Sequence, residues 1–332
     1  MKELSIRPLR DEDVPQVVEL LGASLGEAPG GADRRSLFEW KHLRNVFGRS
    51  IALVGEADGR LVGLRAFMHW RFEGPAGERL AVRAVDTATA PGAQRTGVFS
   101  ELTREALRAA EGEGVDFVFN TPNEKSLPGY LKMGWRTVTR WPVRVRARRP
   151  ARFAWAMARG RREAGGPVEP GEGPARTAAA AFRDERVLGL MGELSAPRGP
   201  LATARTAAYL RWRYGEAPVP YHVHAEDEGL VVYRLRSRGP LVEAVVVETF
   251  SRPGKEGLRR AARVLREAMA AAGADHAVAH FGTGQEALGH AARFLPMPGQ
   301  GMAFVARRLS DRAPDPTAAS SWALTMGDLE LF

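Results

Sequence analysis

Residues 91–99 read Pro91-Gly92-Ala93-Gln94-Arg95-Thr96-Gly97-Val98-Phe99. This small-residue loop leaves a strand-like run, Leu80 to Thr89, and enters a helix-like run, Ser100 to Ala110. A glycine among small residues lets the backbone approach an anion closely, and the unpaired N–H groups of the next helix complement negative charge. A pyrophosphate would fit there without any side-chain ligand. Such loops are common, so the elements on either side decide what this one means.

Upstream, Leu4 to Leu9 reads as a strand, and Asp11 or Asp13 caps a helix with Val14, Val17, Val18 and Leu21 on its apolar face. A short helix around Ser36 to Leu43 follows. Ile51 to Ala57, the Asp58-Gly59 turn and Arg60 to Phe72 read as a hairpin, and residues 79–90 supply a third run. Downstream, Phe99, Leu102, Ala106 and Ala109 line one side of the helix, and Val115 to Asn120 is a short buried strand. Thr121 to Trp135 then contains Asn123-x-x-Ser126 and Tyr130-x-x-x-Gly134-Trp135.

The spacing Gln94-x-x-Gly97-x-Phe99 resembles the pyrophosphate loop of the GNAT superfamily, N-acyltransferases that use an acyl-coenzyme A donor. Thr121 to Trp135 is similar to the family's segment joining strand five, helix four and strand six. The order of elements over residues 1 to about 148 is also the family's. The resemblance implies acetyl-CoA or another acyl-CoA as co-substrate, with no metal. It implies coenzyme contacts from Gln94, Arg95, Thr96, Gly97, Val98 and Phe99, and from Asn120, Asn123 and Ser126, although turn chemistry explains Asn123 equally well. The backbone of Thr87, Ala88 and Thr89 matches the splayed strand whose N–H polarises the thioester carbonyl. Phe99 stands where a small residue is common, which would narrow the acyl space or fill the core.

Acyl transfer needs an amine freed of its proton, a polarised carbonyl and a proton for the departing thiolate. Tyr130 matches the family's tyrosine that protonates the thiolate; a packing aromatic would occupy the same place. Asp86 lies eight residues before Gln94, where many members carry an acid. Strand alternation puts it on one face with Ala84 and Ala88, away from Val85 and Thr87, and partial burial would raise its pKa towards that of a base. Glu124 is the second choice. Fold alone does not fix the substrate; a primary amine of a small molecule is expected, as an amino sugar, an amino acid or an antibiotic.

The second half repeats the order. Three strand-like runs (Tyr221 to Ala225, Leu230 to Ser237, Leu241 to Phe250) precede a helix from Lys255 to Ala272, a strand at Asp275 to Phe281, a helix near Gln285 to Phe294 and a strand at Met302 to Leu309. The chain therefore resembles a tandem GNAT. The fold class expected is α+β, two domains each with a mixed, mainly antiparallel twisted sheet flanked by helices. Ser251 to Gly257 lacks the glycine loop, so the second copy is expected to be non-catalytic, closing the substrate cleft or stabilising the first, with one acyl-CoA per chain. Trp212-Arg213-Tyr214 and a tail from Trp322 to Asp328 match signatures of tandem members. The expected division is 1–149 catalytic, 150–175 an Arg-rich segment and Gly/Pro linker, and 176–332 the degenerate copy with its tail.

Composition agrees. The chain has 332 residues, 44% of them hydrophobic, and no cysteine, which excludes disulfides, cysteine-ligated metal and a cysteine nucleophile. No stretch approaches a membrane span and Met1-Lys2-Glu3-Leu4-Ser5 has no apolar leader, so a cytoplasmic enzyme is expected, monomer or homodimer. Eight arginines between Arg144 and Arg162 account for most of the net charge of +9. They could neutralise nucleic-acid phosphates. Because Val143, Val145 and Ala147 alternate with Arg144, Arg146 and Arg148, a strand with one solvated face is preferred, as is a positive rim for an anionic substrate or the coenzyme's 3′-phosphate. His222 and His224 read as surface residues, with no third ligand for a metal nearby. Two other readings stand beside the enzyme: a non-catalytic acyl-CoA-binding regulator, and an aminoacyl-tRNA or nucleic-acid-linked acyltransferase.

Overall fold

Turn chemistry sets the first sheet. The computed structural model describes residues 4–26, 28, 31–159, 164–171, 175–194, 199–312 and 314–331. In it β2 (Ile51–Ala57) and β3 (Arg60–Glu73) are joined by Asp58 and Gly59 alone, both with left-handed φ (52° and 72°). A two-residue hairpin demands that geometry, and Asp and Gly tolerate it. β1 (Ser5–Pro8) adds to β2, and β4 (Arg79–Thr89) to the other edge of β3, both antiparallel. β5 (Phe117–Asn120) then runs parallel to β4, with α3 (Val98–Gly112) as the crossover. α1 (Val14–Leu25) and α2 (Arg34–His42) bury Val14, Val17, Leu21 and Phe38 against Val54, Leu64 and Ala88. On the opposite face α3 and α4 (Leu127–Lys132) bury Val98, Leu102, Ala106 and Tyr130 against Phe67, Val82 and Ala84.

The chain forms two compact units, and the division is not contiguous. The first takes Met1–Phe72, Ala76–Val138 and Phe304–Ala318; the second takes Glu73–Pro75, Thr139–Ala303 and Ala319–Phe332. A cut near 149 places β6 (Arg136–Ala147) wholly in the first half. Instead β6 passes to the second unit at Thr139 and pairs with β13 (His276–Ala279). The neighbour of β5 is the end of β14 (Leu295–Arg308), with Val305 opposite Asn120. Burial gives the reason. Phe304, Val305 and Ala306 are fully buried, with Phe304 ring to ring against Phe119, whereas β6 alternates arginine with valine.

The second unit repeats the hairpins with β10 (His222–Glu226), β11 (Gly229–Arg238) and β12 (Leu241–Ser251), then α9 (Gly254–Ala271), β13, α10 (Glu286–Ala291) and the first part of β14. Ahead of them lie α5 (Pro150–Ala158), β7 (Ala164–Pro167), β8 (Arg176–Thr177), α6 (Ala178–Ala181), α7 (Glu185–Glu193), β9 (Leu201–Thr203) and α8 (Ala207–Leu210). β15 (Trp322–Ala323) and α11 (Met326–Leu329) close the chain. α9 buries Ala261, Ala262, Leu265, Ala268 and Met269 against Val231, Tyr233, Ala244 and Val246.

Three expectations are corrected here. The segment from 150 to 175 is not a bare linker: it forms α5 and β7, the latter pairing with β11. Gly165 permits that pairing, since a Cβ there would lie 2.2 Å from Ser237 Oγ. Residues 161, 162 and 172–174 of the expected run and linker lie outside the described residues. Arg144, Arg146 and Arg148 are half-buried rather than solvated. Burial, with Arg266, Arg293 and Arg148 nearby, pulls the Arg146 guanidinium below its usual range. His222 and His224 are buried, on a strand that pairs with β11 along its length and with β8 at His222 and Val223.

Candidate active site

Two departures from regular sheet geometry in the first unit lie side by side. β4 pairs with β5 only at Ala81, Val82 and Arg83, so beyond Arg83 the strands part and the β4 edge has no β5 partner. On its other edge the register with β3 slips by one: Arg65 faces Thr87 and Ala66 faces Val85, leaving Asp86 as the extra residue. Asp86 takes a φ of 42°. A bulge of this kind re-aims side chains. Ala84 packs with the α3 cluster and Ala88 with the α1/α2 cluster, whereas alternation alone puts both on one face. The expectation that Ala84, Asp86 and Ala88 share a face is therefore overturned by the bulge.

On the α1/α2 side, Asp86 Oδ2 receives Lys41 Nζ at 2.5 Å and His42 Nε2 at 2.8 Å. His42 is fully buried and its Nδ1 lies 2.9 Å from Ser50 Oγ. Burial pushes the His42 imidazole below its usual range, so near neutral pH it is uncharged, with Nε2 donating and Nδ1 accepting. Burial alone would raise the Asp86 carboxyl, but Lys41 and His42 outweigh it and hold the carboxyl well below the usual carboxylate range. The expected upward shift towards a base is thus reversed. A small cavity of about 130 Å³ opens onto this pair, walled by Leu21, Leu25, Leu37 and Phe38, with Arg34 also lining it.

On the α3/α4 side, the Tyr130 hydroxyl accepts a hydrogen bond from Arg65 Nη1 at 2.9 Å, and the same nitrogen donates to Thr87 Oγ1. Arg65 is fully buried in mid-strand. Its Cζ lies 4.7 Å from the Phe67 ring centre, 5.2 Å from that of Tyr130 and 5.6 Å from that of Phe99. Its Nε and Nη2 have no hydrogen-bond partner. Three aromatic faces stand in for a counter-ion. Because the Tyr130 oxygen accepts from a cation, its own proton is left to donate elsewhere. Phe99 is half-buried, edge-on to Tyr130 at 6.1 Å.

The loop ahead of α3 is exposed from Gln94 to Gly97, and Arg95 and Gly97 both take left-handed φ (65° and 93°). The first helical bonds are those of Ser100 and Glu101 N–H to the Gly97 carbonyl. The N–H groups of residues 95–99 therefore have no intrahelical acceptor. Asn120, at the end of β5, is buried with its Oδ1 unpartnered. Asn123 serves the turn before α4, its Oδ1 accepting from Ser126 N at 2.9 Å and Ser126 Oγ at 3.0 Å. Glu124 is exposed in that turn. The corresponding region of the second unit is closed. Only residues 252 and 253 separate β12 from α9, the Arg252 carbonyl covers Gly257, and past the last β12–β13 pair at Val246 Gln285 bonds Thr249 at both amide ends (2.8 and 3.1 Å).

Sequence reasoning did not single out Lys41, His42 or Arg65. Arg65 had a signal, a lone charge in the apolar run Leu64 to Met68; Lys41 and His42, on a short polar helix, had none. The Trp212-Arg213-Tyr214 signature and the tail meet within the second unit. Arg213 Nη2 donates to the Gly327 and Glu330 carbonyls, and Tyr214 donates to Glu248. Among the described residues no cluster of His, Cys, Asp and Glu could hold a metal, and no helix is long and apolar enough to cross a membrane.

Residues 5–138 match the family model described as an acetyltransferase (GNAT) domain. No curated protein matches. Similar solved structures, each covering 93% of this chain, include a GCN5-related N-acetyltransferase from Anabaena variabilis (10% identity, TM-score 0.62, 73% of that chain). Eis1 from Mycobacterium abscessus (16%, 0.58, 74%) is another. A third is a conserved protein of unknown function from Enterococcus faecalis, a probable N-acyltransferase (14%, 0.61, 73%). At these identities the likeness is one of fold.

Proposed function

We propose, from the match of residues 5–138 to an acetyltransferase (GNAT) domain, that the chain transfers an acetyl group from acetyl-CoA to a primary amine of a small molecule by direct attack in a ternary complex. The observation that carries the reading is the pair of groups flanking the β4 bulge, the Tyr130 hydroxyl on one face and the Asp86 carboxylate on the other, where β4 leaves β5.

The coenzyme pyrophosphate takes the N–H groups of residues 95–99, and the unpartnered Oδ1 of Asn120 accepts from an amide N–H of the pantetheine arm. The free edge of β4 at residues 87–89 polarises the thioester carbonyl. The amine nitrogen attacks the carbonyl carbon, the C–S bond breaks, and the thiolate takes the Tyr130 proton, which water then replaces. Asp86 is too firmly ionised to be an efficient proton acceptor. It acts instead as the fixed negative charge of the acceptor pocket, drawing in an ammonium in competition with Lys41, and the amine's proton leaves through water. Phe99 against Tyr130 supports a short acyl group. Calorimetric titration with acetyl-CoA, followed by free-thiol release over a panel of small primary amines, tests the reading. Binding with amine-dependent thiol release supports it; binding without release from any amine favours a sensor, and no binding sinks both.

A further inference from the structure

We infer that the second unit carries its own ligand site, for an apolar carboxylate, on the sheet face opposite α9. Alternation along β11, β12 and β13 turns Ala244, Val246, Ala277 and Ala279 to α9, and so turns Arg236, Glu243, His276 and Val278 the other way. There they line a cavity of about 380 Å³ lying wholly within the second unit. That volume lies in the range of small-molecule sites, about 300–1,000 Å³. Its apolar walls come from α5, β14 and α11, notably Phe153, Met157, Met302 and Met326. Methionines adapt to an irregular hydrocarbon.

The polar end selects an anion. Glu243 accepts from Arg236 Nε at 2.6 Å, Arg238 Nε at 3.0 Å and His276 Nε2 at 2.9 Å. Burial alone would raise its carboxyl, but the His276 hydrogen bond and the two arginines bring it down to about 2. Glu330 Oε1 accepts from Arg234 at 2.6 Å and Arg236 at 3.1 Å. Three arginines thus face two carboxylates, and Arg149 and Arg152 share the single carboxylate of Asp275 beside them. Arg236 spends two of its five N–H donors on these acids. The buried Nδ1 of His276 has no partner. Surplus cationic donors beside apolar walls suit one carboxylate on a hydrocarbon or aryl body. The site lies at the start of β12, away from the Thr249–Gln285 pair near its end.

The test titrates the full chain with decanoate, 1-decanol, decylammonium and N-octanoylglycine, with and without saturating acetyl-CoA. Decanoate should bind at least tenfold tighter than the alcohol and the ammonium, unaffected by acetyl-CoA. N-octanoylglycine distinguishes a free fatty acid from an acylated amino acid as the source of the carboxylate. Arg236→Gln should remove the preference for carboxylate, and Met157→Trp, on the partly exposed rim, should weaken all ligands tenfold or more. Because the head-group comparison uses the native chain, it stands even where a variant fails to fold. Equal affinity for decylammonium, competition by acetyl-CoA, decanoate affinity unmoved in folded variants, or no binding would each overturn the site. None of these outcomes bears on acyl transfer by the first unit.

Discussion

Asp86→Asn keeps the side chain's size and one acceptor oxygen and removes its charge, so it isolates what that charge does. In the native chain the carboxylate meets Lys41 at 2.5 Å and His42 at 2.8 Å, with side-chain exposures of 14% for Asp86 and 9% for Lys41. Without it, the Lys41 ammonium is a buried cation lacking its partner. Removing one member of a buried pair costs about 3–5 kcal/mol; the partial exposure of Asp86 places the loss near the lower end, about 3 kcal/mol. At about 2–4 °C per kcal/mol for a domain of this size, the first unit should melt about 6–12 °C lower. The pH dependence has a definite sign. The folded Asp86 carboxyl lies well below its usual range, whereas the unfolded one titrates near about 3.9. Its stabilisation is therefore complete above about pH 5 and fades as pH falls below about 4. Urea unfolding at pH 7.5, 5.5 and 3 should show the wild type and variant separated by the same gap at the first two and by a narrower one at the third. Adding Lys41→Met should restore part of the loss, because the orphaned cation goes with it. Equal stability at pH 7.5, or the same gap at pH 3 as at 7.5, would refute the buried pair.

Other substitutions probe the rest of the frame. Gly97→Val forces a β-branched residue to a φ of 93° and should cost about 1–2 kcal/mol of stability and raise the acetyl-CoA dissociation constant tenfold or more by calorimetry. Gly63→Val would set a Cβ 2.6 Å from Val98 Cγ1 and 2.7 Å from Leu102 Cδ1; overpacking of about 1–3 kcal/mol should appear as a lower melting temperature. Arg205→Met leaves Glu248 and Asp328 buried without their shared cation, at a cost of about 3–5 kcal/mol that denaturant melts should assign to the second unit.

Local chemistry was legible in the sequence. Asp58-Gly59 defined its hairpin, and the apolar stripe of α3 and the order of elements were readable without structure. The partition of the last strands was not. β6 and β14 each read as a valid final strand, and only the burial of Phe304 to Ala306 beside Phe119 decides which one joins β5. The loop at 91–99 and Tyr130 could be picked out from spacing. The bulge could not, because one extra residue in a strand leaves no mark on composition, yet it moves Asp86 to the α2 face and thereby brings in Lys41 and His42. The same burial that suggested a base also supplied the cations that prevent one.

The most direct test of the central claim is single-turnover thiol release by Tyr130→Phe, measured beside acetyl-CoA titration of the same protein. Loss of the hydroxyl removes the Arg65 hydrogen bond and the proton donor while keeping the ring against Phe99 and Trp135. Acetyl-CoA should bind within about twofold of wild type while thiol release slows by about 10²–10⁴-fold, the range for a lost general acid. Turnover at the wild-type rate with coenzyme binding intact would contradict it.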